Sequence, residues 1–250
     1  MHDIKDKIDA LFLDYNGQAL ETLLTEIRQV VSGRIVFTTS LGKEDQCITH
    51  AIMSQKLAID IITLDTGRFF EETYKVWSAT EEKYGASIQP FYPNTDSVEA
   101  LVADIGINGF YDSLENRKAC CNVRKVEPLG RALKGADVWI TGVRASQNVG
   151  RSQMGYTSFD QVRDLVKVNP LLNWSNHVMD DYVAANDIPI NSLHARNYRS
   201  VGCAPCTRAI KLGDDERSGR WWWEAEEGVN SQECGLHVGP DGRLIRSNKV

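Results

Sequence analysis

The sequence predicts an α/β protein with a mostly parallel central sheet flanked by helices. Short strand-like runs recur at 34–39, 59–64, 87–92 and 137–141, the first of them β-branched. Between them lie segments with apolar residues at three- and four-residue steps, the spacing of amphipathic helices. Polar turns close the first two runs, Ser40-Leu41-Gly42-Lys43-Glu44-Asp45 and Asp65-Thr66-Gly67-Arg68. Strand–helix–strand alternation of this kind calls for parallel pairing with right-handed crossovers.

Residues 4 to about 32 read as two helices, broken at Asn16-Gly17, that cover a core. Arg34–Thr39 reads as a buried first strand, and the helix after it spans Gln46 to Lys56. The second strand ends in the 65–68 turn and leads to a helix over 71–84, then a strand over 87–92 and a helix over 97–105. Leu114–Leu133 is helical in pattern, with a break expected near Pro128. Asp137–Thr141 is a fourth strand, followed by Gly142-Val143-Arg144 and a polar loop over 145–155 that contains Arg151. Asp164–Val168 reads as a further strand, and Ser175 as the cap of a helix reaching about Ala185. From Thr207 periodicity fades, and three consecutive tryptophans, Trp221–Trp223, argue against plain disorder. These patterns divide the chain into one α/β domain over 1–206, with a helical cover over 1–32, and a tail over 207–250 expected to be a mobile arm that docks.

Both polar turns fall at carboxyl ends of strands, where open parallel sheets bind ligands. A strand, a Ser- and Gly-containing turn and a helix start also aim unpaired N–H groups at one spot, a geometry suited to anions. The first turn alone is a weak signal, since Ser, Gly and Asp are common in plain strand-to-helix connections, and the binding reading gains from two such turns on one rim. The formal net charge of -6 speaks against nonspecific nucleic-acid binding. Six basic residues nevertheless cluster between Arg196 and Arg220, a distribution that suits a small anion better than a polyanion. No run approaches the ~18 apolar residues of a membrane span, and the N-terminus has no signal-peptide pattern. The expected compartment is therefore the reducing cytoplasm, where cysteines serve as ligands or catalysts more often than as disulfides.

Six cysteines are present. Cys203-Ala-Pro-Cys206 has the C-x-x-C spacing used by zinc, by iron–sulfur clusters and by redox disulfides. The adjacent pair Cys120-Cys121 favours a [4Fe–4S] cluster, because neighbouring thiolates strain a tetrahedral zinc but can each take a different iron. Zinc and redox thiols remain as alternatives. Cys47 lies in an apolar helix and reads as core. Cys234 sits in a polar tail with His237 three residues on, a setting for a nucleophilic thiol, although a lone cysteine is as often a small apolar residue.

Together, Cys120-Cys121, Cys203-Ala-Pro-Cys206-Thr-Arg, Arg217-Ser-Gly-Arg220-Trp-Trp-Trp-Glu, Glu233-Cys234-Gly-Leu-His237 and the two polar turns resemble the assimilatory adenylylsulfate (APS) reductases of the PAPS/APS reductase family, over about residues 34–240. The resemblance implies an adenine-nucleotide α-hydrolase-like, modified PP-loop fold. Leu41 departs from the Ser-Gly-Gly-x-Asp pattern of ATP-cleaving PP-loop enzymes, which argues against that activity. The family's roles, carried over, make Cys120, Cys121, Cys203 and Cys206 the ligands of one [4Fe–4S] cluster and Cys234 the nucleophile. Lys125 would bridge the cluster region and the substrate sulfate, while Arg217, Arg220 and His237 meet its anionic groups. Ser40, Leu41, Gly42, Leu64, Gly142 and Arg144 would line the nucleotide pocket, with Arg151 reaching a phosphate. All four cluster cysteines are present, which favours APS over the 3′-phosphorylated substrate. Thioredoxin or a similar dithiol is implied as reductant, since no resolving thiol is evident, and relatives suggest a homo-oligomer. The competing readings are a reductase of the 3′-phosphorylated substrate or of both substrates, a PP-loop enzyme that adenylates a substrate such as tRNA, and a noncatalytic iron–sulfur nucleotide sensor.

Overall fold

Parallel pairing places β1 (Ile35–Thr39) between β2 (Asp60–Leu64) and β4 (Val138–Ile140) in a six-stranded sheet whose order runs β3 (Gln89–Phe91), β2, β1, β4, β6 (Leu165–Val168), β5 (Thr157–Asp160). The computed structural model describes residues 2–13, 15, 19–147, 151–226 and 236. The third strand, β3 (Gln89–Phe91), pairs parallel with β2, and β6 (Leu165–Val168) pairs parallel with β4. Among the described strands only β5 (Thr157–Asp160), at one edge, runs antiparallel. Its register pairs Thr157 with Val168 and Asp160 with Leu165.

Helices cover both faces, so the central strands are apolar on both sides. Ile35 and Phe37 of β1, Val138 and Ile140 of β4, and Val166 and Val168 of β6 pack into one core with α1 (His2–Leu13), α2 (Leu20–Val30), α3 (Lys43–Ser54), α4 (Glu71–Tyr84) and α8 (Asn176–Ala185). The alternate residues Val36, Trp139 and Leu165 face a second core built on Leu129 and Ala132 of α7 (Glu127–Ala132). Cys47 lies fully buried in the first core, and burial pushes its thiol pKa well up. Ser175 caps α8 by accepting from the Val178 N–H at 3.2 Å. The break expected at Asn16-Gly17 falls outside the described residues.

Two elements differ from the sequence expectation. The β5 strand lay hidden because Thr-Ser-Phe-Asp has little apolar alternation. It is held by a tight turn in which Asp160 accepts from the Val162 and Arg163 N–H groups at 3.0 and 3.1 Å. The break near Pro128 is also not where the helix deviates. Pro128 fits the first turn of α7, where its missing N–H costs little. The deviation is a π-helical stretch, Asn122–Val126, which joins α6 (Leu114–Cys121) to α7. The remaining helices are α5 (Thr95–Ile105) and α9 (Trp222–Glu226).

From Thr207 to Glu224 the chain packs against the domain. Thr207 bridges Arg220 in antiparallel fashion, and Trp221 is 2% exposed. Aromatic and arginine burial anchors this segment where periodicity gave no signal.

Candidate active site

Beyond the carboxyl ends of β1, β2 and β4 lies a cavity of about 180 Å3. Its position is the switch point of the sheet, where strand order reverses on either side of β1. Ser40, Gly42, Leu64, Gly142 and Arg151 line it, together with Lys125, Arg217 and Arg220. With Arg199, which also lines it, five cationic side chains from four parts of the chain thus converge on one hollow.

The turn after β1 is organised by Asp45. Its carboxylate accepts from the Ser40 N–H and the Ser40 hydroxyl, both at 2.6 Å. Leu41 takes a left-handed conformation, φ 61°, which costs about 1–2 kcal/mol for a residue with a Cβ. Full burial of its side chain in the first core offsets that strain. Gly142 is required by a close approach, since a Cβ there would stand 2.1 Å from the Asp45 Oδ1. Burial pushes the Asp45 pKa up to about 6, against the opposing Ser40 bonds.

A pH effect follows from Asp45. Below the ordinary aspartate value of 3.8 the carboxyl is protonated in both folded and unfolded chains. Between there and about 6 the unfolded chain releases the proton and the folded chain keeps it, so stability falls as pH rises. The total effect is about 3 kcal/mol. Asp45→Asn removes it, and denaturant midpoints should show wild type losing ground to the variant from pH 4 to 7. A pH-independent difference between the two would contradict this.

Leu41 and Arg144 are not among the lining side chains. The Arg144 guanidinium, 1% exposed, binds Glu44 at 2.9 Å and Glu216 at 3.0 Å. It also donates to the Ser146 hydroxyl and the Trp174 carbonyl, at 2.9 and 3.3 Å. Burial works to raise the Glu44 pKa, but Arg144 and hydrogen bonds hold it below the usual value.

A second, smaller cavity adjoins the first. Cys120, Cys121, Cys203 and Cys206 all line it, with Arg117, Arg124, Lys125 and Trp221. The first pair closes α6, and the second flanks a short 3-10 turn, Ala204–Cys206. Thr66, in the turn after β2, lies 3.3 Å from the Cys203 Sγ, and Arg124 donates to the Thr66 carbonyl at 2.7 Å. Burial opposes a charged Cys203, yet Lys125, Thr66 and Arg220 together hold its pKa below that of an ordinary thiol. Cys206, also buried and next to Cys203, is pushed up to about 11. Four soft sulfur donors around one hollow, with cationic side chains to offset thiolate charge, are chemically suited to an iron–sulfur centre. Among the described residues no three His, Cys, Asp or Glu side chains are set to hold a single metal ion.

Lys125 lines both cavities. Arg220 lies on the larger one and donates to the Cys206 carbonyl at 3.2 Å. Its guanidinium packs so closely on Gly202 that a Cβ there would stand 2.3 Å away. Trp221 is surrounded by the guanidinium groups of Arg117, Arg220 and Arg217, at 4.8, 4.7 and 5.9 Å. Arg117 also pairs with Glu224 at 2.6 Å, fully buried. Cys234 and His237 lie outside the described residues. Leu236, two positions after Cys234, lines the larger cavity and packs against the second core.

Sequence reasoning gave no role to Arg124, Arg199, Gly202 or Glu216, and took Thr66 only as part of the turn over 65–68. Thr66 and Arg124 each adjoin a motif residue, and that adjacency was the available signal. Glu216 had none, because its partners are distant in the chain.

Comparison with known proteins places these features in a family. Residues 34–209 match the phosphoadenosine phosphosulfate reductase domain. The chain is 52% identical over 208 residues to adenosine 5'-phosphosulfate reductase of Agrobacterium fabrum, covering 83% of this chain and 79% of that protein. To the protein of the same name from Sinorhizobium fredii it is 53% identical over 218 residues, covering 87% and 86%. Among solved structures, phosphoadenylyl-sulfate (PAPS) reductase from Candida auris, in a phosphate complex, superposes with a TM-score of 0.67 at 25% identity, over 82% of this chain and 97% of that one. No described helix is long and apolar enough to cross a membrane.

Proposed function

Since the chain belongs to the phosphoadenosine phosphosulfate reductase family, we propose that it reduces adenosine 5'-phosphosulfate to sulfite and AMP in sulfate assimilation, with thioredoxin or a similar dithiol as reductant. It is an oxidoreductase acting on a sulfur group. The observation that carries the choice is the convergence of Lys125, Arg151, Arg217 and Arg220 on one cavity at the sheet's switch point, beside four thiols.

In the proposed first step the Cys234 thiolate attacks the sulfate sulfur of APS. A Cys–S–SO3 bond forms, the S–O bond to the phosphate breaks, and AMP leaves with that oxygen. Lys125, Arg217 and Arg220 offset charge on the sulfonyl oxygens and the leaving phosphate, and Arg151 holds the phosphate in place. His237 joins them as the tail closes. Leu236, seated in the cavity two residues from Cys234, supports this direction of closure. A thiolate of the external dithiol next attacks the Cys234 sulfur and expels sulfite, and its second thiol releases Cys234. The substrate sulfur gains two electrons and the dithiol becomes a disulfide.

Cys120, Cys121, Cys203 and Cys206 would hold one [4Fe–4S] cluster. When bound it supplies a fixed electrostatic environment beside Lys125. The adjacent pair Cys120-Cys121 and a hollow lined by all four thiols support a polynuclear centre over zinc.

The deciding assay measures sulfite released from APS and from the 3′-phosphorylated analogue, with thioredoxin supplied, on protein whose iron is quantified. Sulfite from APS in preference to the analogue is expected. Nucleotide binding without sulfite from either substrate would point to a sensor instead, and release from the analogue alone would reassign the substrate.

A further inference from the structure

Carboxylates on the wall of an anion cavity oppose binding unless they perform another task. Glu216 is such a group, since it lines the larger cavity directly beside Arg217 in the chain. Its two oxygens are both engaged. Oε2 accepts from Arg144 Nη2 at 3.0 Å, and Oε1 accepts from Asn176 Nδ2, the first residue of α8, at 2.5 Å.

The chain around it shows what that attachment holds. Between Thr207 and Glu216 the backbone makes an exposed excursion, with residues 211–215 all exposed. Near its base the excursion is tied by Arg208 N–H to the Gly219 carbonyl at 2.9 Å and by Ile210 N–H to the Asn197 carbonyl at 3.0 Å. On the far side the chain re-enters the domain at Glu216, and the next residue is the buried Arg217. Arg144 is suited to receive it, being itself immobilised by Glu44, Ser146 and the Trp174 carbonyl. Glu44 in turn accepts from Gln147 at 2.9 Å, and Gln147 bonds Arg151. One polar chain therefore runs from the returning segment to the cavity's other cationic rim.

We infer that Arg144 and Glu216 form a latch that positions Arg217 on the cavity, so that Arg144 serves the anionic ligand through Glu216 and not by contact. The inference rests on the reading of this cavity as a site for an anionic adenine nucleotide. It fixes the sign of a mutation. A carboxylate that acts only through its charge would, when removed, let an anion bind more tightly. A latch residue does the opposite when removed, because Arg217 loses its placement.

The test uses the full-length protein and AMP as probe, by calorimetry, together with limited trypsin digestion. Glu216→Ala is expected to weaken AMP binding about tenfold and to speed cleavage after Arg208 and Lys211 by a similar factor. Glu216→Gln keeps an oxygen for Arg144 and should restore most of both. Arg217→Ala should weaken AMP binding without the change in cleavage rate. If wild type binds AMP and Glu216→Ala binds it equally well or more tightly, or is cleaved no faster, the latch is refuted while the nucleotide reading stands. If wild type does not bind AMP, the nucleotide reading fails and the latch's role in binding fails with it.

Discussion

Cys234→Ser should lower sulfite release from APS by about three orders of magnitude or more while leaving AMP affinity unchanged. A thiol is a few per cent ionised near neutrality and intrinsically nucleophilic, whereas a serine hydroxyl is neither without a dedicated base. The cationic wall of the cavity, with Lys125, Arg151, Arg217 and Arg220, is untouched by this change, so the binding half of the reaction should survive. Mass spectrometry offers a second reading. Wild type incubated with APS and no dithiol should gain the mass of one SO3 group on the peptide containing Cys234, and the variant should gain none. A variant retaining more than about a tenth of the wild-type rate would place the nucleophile elsewhere.

A large loss of stability is expected from Glu224→Ala. Arg117 and Glu224 are 1% and 4% exposed, and their 2.6 Å contact joins α6 to α9 across 107 residues of chain. Removal of the carboxylate takes the Glu224 charge and its hydrogen bonds away from a buried guanidinium that also lies beside Trp221 and Cys121, and breaking a buried pair of this kind costs about 3–5 kcal/mol. For a chain of this size the midpoint of thermal unfolding should fall by about 10 °C. Combining Arg117→Met with Glu224→Leu should recover most of the loss, since a buried pair can often be exchanged for apolar packing. A single variant that melts within about 2 °C of wild type would show the pair to be dispensable. The same variant should also bind AMP less well, because Trp221 carries Arg217 and Arg220 on its faces.

How much of this was legible in the sequence depended on the distance over which each feature is decided. The first strand and its turn were legible because a β-branched run followed by Ser40-Leu-Gly-Lys-Glu-Asp45 encodes its conformation locally. Cys203 and Cys206 were legible through spacing. The place of Arg144 was not, since the resemblance set it among the residues lining the nucleotide pocket. Its actual partners lie 100 and 72 residues away, and only the folded chain brings them together. The edge strand Thr157–Asp160 escaped for a related reason, because its pairing with β6 and a side-chain-capped turn define it more than its own composition does.

The π-helical stretch at Asn122–Val126 has a consequence for chain length. Glu127 N–H reaches back five residues, to the Asn122 carbonyl, so one more residue is spent here than an α-helix would use. Deleting a single residue from this stretch would restore ordinary helical geometry and turn α6 by about 100° relative to α7. With Leu129 and Ala132 seated in the core, Arg117, Cys120 and Cys121 would swing away from the small cavity. The surplus residue acts as a phase shift between two halves of one rod, so that one end matches the sheet and the other matches the thiols.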